Sequence, residues 1–147
     1  MNSLKIDSGV KSFCINDDPS RIIRFNPSDV YFAERFYELV QEFKGDGQRE
    51  GMEARFKRES EKADSLPEGE KEPFTFNLLR EMDTYFREKL DYAFGEGTSE
   101  AAFGNVNIVS RTDNGQTVLE NFLDAVSPVI AEARSLQLQK HTAEYKK

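Results

Sequence analysis

Apolar residues in this chain recur in long stretches at helical spacing. Val30, Ala33, Tyr37 and Val40 form one row, and Phe32, Phe36, Leu39 and Phe43 the next, which together predict an amphipathic helix. Asn26-Pro27-Ser28-Asp29 supplies a cap residue, a proline suited to the first helical position and an acid near the positive end of the helix dipole, so the helix is placed over 26–44. A second stripe, Leu78, Leu79, Met82, Tyr85, Phe86, Leu90, Ala93 and Phe94, predicts a helix from about residue 73 to 94, stopped by Gly95. The last stripe, Val118, Leu119, Phe122, Leu123, Val126, Val129, Ile130, Ala133 and Leu136, predicts a helix over 116–140. Pro128 should kink it, because proline removes one backbone donor and crowds the preceding turn. Thr98 reads as the N-cap of a short helical turn over 99–103, closed by Gly104, and Asp113-Asn114-Gly115 as another turn.

Two stretches do not follow this rhythm. LKIDSGVKSFCIND (residues 4–17) reads as two strands about a turn at Asp7-Ser8-Gly9, with Val10, Phe13 and Ile15 as the apolar positions of the second. Asp17-Asp18-Pro19-Ser20 then breaks the chain, and RIIRF (21–25) reads as a third short strand. Over half of residues 45–72 are charged, with both signs mixed and only Met52, Phe56 and Leu66 as sizeable apolar groups. That composition predicts a solvated loop or partly helical excursion contributing little to the core. The fold class expected is therefore α+β in one domain, 1–147. A β-rich N-terminal segment (4–25), a hairpin or small sheet, packs against a mainly helical body of three principal helices in 26–44 and 73–140, with the charged excursion (45–72) between them and a polar tail (141–147) following.

Composition narrows the function. The 147 residues carry a net charge of −7, which repels phosphate backbones and anionic lipid, so neither nucleic acid nor a membrane is the expected partner. No long apolar run and no N-terminal apolar segment is present, and an intracellular location is expected. One cysteine, Cys14, excludes an internal disulfide, and no Cys/His set for zinc exists.

The best candidate for chemistry is FGEGTSEAAFG (94–104). A P-loop needs Lys and Ser or Thr after its last glycine, and a dinucleotide fold needs its glycines after a strand. This segment has neither, and Glu96 and Glu100 would repel an anion, so it reads as a corner between helices with Phe94 and Phe103 tucked inward. His141 lies in the polar tail, where nothing would tune it as a base. Cys14 has no histidine nearby in sequence, Asp17-Asp18 and Glu68-Gly69-Glu70 lack the calcium-loop pattern, and no pair among the many acids stands out. No catalytic residue, cofactor or metal is expected.

The order of DDPSRIIRFNPSDVYFAERFYELV, a charged excursion, DYAFGEGTSEAAFGN and ENFLDAVSPVIAEAR resembles the tail assembly chaperones of long-tailed phages and prophages, with RFNPSD and FGEGTSEAAFG the more specific parts. The resemblance spans most of the chain and implies a non-enzymatic protein of the host bacterial cytoplasm. Its partners would be the tape-measure protein, which it keeps soluble, and the tail-tube protein, with a homo-oligomer also compatible. It implies an apolar groove for a helix, its edge near Pro128 and the charged excursion. Candidate partner-binding residues are Phe94, Phe103, Phe122, Val126, Pro128, Val129 and Ile130. A structural virion protein (a tail-completion or connector subunit) and a phage protein that binds a host defence or regulatory factor are the competing readings.

Overall fold

The computed structural model describes residues 1–145, with side chains through Leu136. The fold is α+β: an N-terminal antiparallel hairpin followed by a mostly helical body. The hairpin joins β1 (Lys11–Ile15) to β2 (Asp18–Phe25), pairing Lys11 with Phe25, Phe13 with Ile23 and Cys14 with Ile22. Its turn is Asn16-Asp17, both at positive φ (51° and 60°), which Asn and Asp tolerate better than other non-glycine residues. The expected strand pair about Asp7-Ser8-Gly9 is thus corrected. Residues 1–10 form no strand, and RIIRF belongs to the second strand of one hairpin rather than to a third. Pro19, read as a chain break, sits at the second position of β2, near the strand start where a missing N–H is tolerated.

Helix α1 (Val30–Lys44) is capped by Asp29, whose carboxylate accepts from the Tyr31 N–H at 3.2 Å. Pro27 precedes the helix and is fully buried, while Asn26 Oδ1 accepts from Ser28 N at 3.0 Å. The charged excursion is ordered into α2 (Met52–Ser60) and a 3-10 turn (Glu61–Ser65), and Met52 and Ala63 are buried. A Cβ on Gly51 would fall on the Lys44 carbonyl, so the backbone crosses itself there at a distance only glycine permits. Helix α3 (Glu68–Phe94) starts five residues earlier than expected, and Pro73 lies within its second turn. Helix α4 (Thr98–Phe103) and α5 (Val118–Tyr145) complete the body. Helix α5 runs on past Pro128, and its backbone extends through residues 141–145 of the expected polar tail. Lys146 and Lys147, and the side chain of His141, lie outside the described residues.

Phenylalanine organises the core. Phe94 is the hub, meeting Phe25 and Phe32 at 5.0 Å and Phe122 at 5.3 Å, all edge to face, and Phe122 in turn meets Phe103 at 5.3 Å. Each such pair adds about 0.5–1.5 kcal/mol beyond area burial, and together they clamp β2, α1, α3, α4 and α5 on one point.

Candidate partner-binding cleft

Every fourth residue of α3 from Leu78 to Leu90 (Leu78, Met82, Phe86, Leu90) points into the core. The polar row beside it, Asp83, Arg87 and Asp91, also spaced by four, holds the loop that follows. Asp91 accepts from the Ser99 N–H at 2.7 Å and the Ser99 hydroxyl at 2.9 Å, so the start of α4 is capped from α3 and not by Thr98. The Arg87 guanidinium donates to the carbonyls of Gly104 (2.8 Å) and Val106 (2.6 Å). Asp83 pairs with Arg87 at 3.1 Å and accepts from the Ile108 N–H at 2.8 Å. Arg21 of β2 reaches over to donate to the carbonyls of Ala101 and Ala102. FGEGTSEAAFG is therefore a corner held by side chains from two other elements. The corner reading was legible in the sequence; the polar row that holds the corner was not.

The same row aims residues 107–111. Asn107 donates to the Leu79 carbonyl at 3.2 Å and accepts from Val109 N at 2.9 Å, while Ile108 and Ser110 carbonyls accept from the first N–H groups of α5. Val109 is thereby fixed opposite α2, and a cleft of about 620 Å³ opens between α2, α3 and this loop. Met52, Met82 and Val109 form a buried apolar floor with Thr117, and Phe56 and Leu79 are half-buried in the walls. Ionisable groups lie on the exposed rim: Glu53, Lys57 and Arg111, of which Glu53 and Arg111 pair at 3.0 Å across the mouth. Phe76, 60% exposed, lies three residues before Leu79 on α3 and adds a large apolar side chain on the same side of that helix.

The residues proposed from sequence are placed differently. Phe94, Phe103, Phe122, Val126 and Ile130 are buried in the core; Val129 is half-buried and only Pro128 is exposed. Their stripe is apolar because it closes the body, which leaves little of it to meet a partner. The cleft residues Met52, Phe56, Leu79 and Val109 were missed, although Met52 and Phe56 stand four residues apart, a helical spacing that signals one face.

Among the described residues no cluster of His, Cys, Asp or Glu could hold a metal ion, and no helix is long and apolar enough to cross a membrane. Cys14 is exposed on β1. On α3, the Tyr85 hydroxyl donates to Glu42 of α1 at 2.6 Å, and burial first, then this bond, pushes the phenol above its ordinary value. The cleft can take up apolar side chains between polar rims. Comparison with family models, with curated proteins and with solved structures gave no match.

Proposed function

We propose that this chain is a non-enzymatic phage tail assembly chaperone. It covers the apolar helix of a tape-measure protein in the host bacterial cytoplasm until tail-tube subunits polymerise around it. The observation that carries this reading is the open apolar cleft between α2 and α3, on a body whose net charge of −7 keeps an assembly of many copies dispersed. The resemblance in RFNPSD and FGEGTSEAAFG supplies the partner. One face of an amphipathic helix seats its apolar residues against Phe56, Leu79 and Val109, and burial there contributes about 25 cal/mol per Å². The rim charges Glu53, Lys57 and Arg111 meet the polar edges of that helix.

Co-expression with the tape-measure protein of the same gene cluster tests the reading. The expected result is a soluble complex that Phe56→Lys and Leu79→Lys abolish while the chain itself stays folded. A tape-measure protein that remains insoluble, or a complex indifferent to both substitutions, overturns it.

A further inference from the structure

The N-terminal ten residues carry a second unsatisfied surface, unrelated to the cleft. They run without helix, strand, turn or bend, and Leu4 (88%), Ile6 (79%) and Val10 (54%) are exposed. The root of this arm is fixed. Asn26 Nδ2 donates to the Ser8 carbonyl at 2.6 Å, and Gly9, at φ 80°, presses so close to that amide that an added Cβ would stand 2.9 Å from it. The arm does not pair with the strand that it leads into.

That strand is also incomplete. Among the described residues the sheet has two strands, so β1 has one hydrogen-bonded neighbour, and a row of its peptide groups has no strand partner there. The other side of the hairpin is attended by α4, through Arg21. Phe13 and Ile15 pack against the core from β1 yet stay half-buried. Two-stranded sheets are marginal, and a third strand with alternating apolar residues would complete this one.

The geometry points to a homodimer in which the arm of each copy, residues 4–7, pairs antiparallel with β1 of the other. A single register satisfies both apolar pairs: Leu4 opposite Ile15 and Ile6 opposite Phe13 of the second copy. The same register sets Lys5 opposite Cys14 and Asp7 opposite Ser12, with no like charges facing each other. Its two-fold axis falls between Gly9 and Val10, where the positive φ of Gly9 lets the apolar face change from even to odd positions. The isologous contact yields a continuous sheet with the two hairpins at its outer edges. Electrostatics favours this end of the molecule. Residues 1–25 hold Lys5, Lys11, Arg21 and Arg24 against Asp7, Asp17 and Asp18, a net +1 within a chain of net −7, so two copies meet here on nearly neutral segments with little local repulsion. An intrachain alternative, the arm folding back at Asp7-Ser8-Gly9, would set Lys5 opposite Lys11 and would break the Asn26 clamp.

Engineered cross-linking tests the register. Directly opposed antiparallel residues have Cα atoms about 4.5–5.5 Å apart, within disulfide range. Within one chain, residues 5 and 14 are on the order of 30 Å apart along an extended backbone. Lys5→Cys, with the native Cys14, should form a covalent dimer on mild oxidation, whereas Ser8→Cys and the unaltered chain should not. In sedimentation the unaltered chain should run at twice its 16.9 kDa mass. The double variant Leu4→Asp/Ile6→Asp should run as a monomer with unchanged circular dichroism, since neither side chain is packed. A monomeric unaltered chain, a dimer that survives the double variant, or a Lys5→Cys chain that does not cross-link between copies overturns the proposal.

Discussion

Asp83 serves two partners at once. Its carboxylate balances Arg87 and receives the Ile108 N–H, and its side chain is only 19% exposed. Asp83→Ala would strand a peptide donor and leave Arg87 without its carboxylate. Losing about 2–3 kcal/mol is expected, read as a lower urea midpoint. Tyr85 gives a pH signature. Its folded pKa is raised, by burial first and by Glu42 second, so the neutral phenol stabilises the fold below the ordinary value of 10.0. That contribution is lost as pH rises from there through the folded value. Unfolding measured as pH rises above about 10 should show stability falling, and Tyr85→Phe should flatten the fall. At this scale the sequence was a partial guide. The inward placement of Phe94 and Phe103 followed from reading FGEGTSEAAFG as a corner between helices, but the cap on α4 did not. Thr98 has the right chemistry for a cap, yet the bond is made by Asp91, eight residues before Ser99, and only the fold brings that carboxylate there.

Helix α2 shows what composition hides. Charge over residues 45–72 suggested solvent, yet Met52 is 4% exposed and forms the cleft floor. Helical amphipathicity needs only a few apolar positions when the segment leans on a larger neighbour, and Met52, Phe56 and Ala63 were sufficient. Met52→Ala should cost about 2–4 kcal/mol, far above the effect of a surface change, and chemical denaturation can measure it. A loss below about 0.5 kcal/mol would mean that α2 packs too loosely to wall a cleft. The hairpin was misread for a different reason. Asp7-Ser8-Gly9 and Asn16-Asp17 are both competent turns locally. The second is used because it sets Phe13, Ile23 and Phe25 on one face over α1 and α3, a long-range gain that no local window contains.

Taken whole, the molecule separates three surfaces. A phenylalanine core closes the body, an apolar cleft opens between α2 and α3, and an arm and strand edge stand on an N-terminal segment of net +1. The α+β class was legible from periodicity, because long helical stripes and short β-rich runs differ in their spacing. The binding face was not, because an apolar stripe reads the same whether it meets the protein's own core or another chain. Hydrogen exchange on the complex with a tape-measure segment tests the central claim most directly. The account predicts new protection in α2, in residues 76–82 of α3 and in 109–111, with little change along residues 122–130 of α5. Protection confined to α5, or none at the cleft, would contradict it.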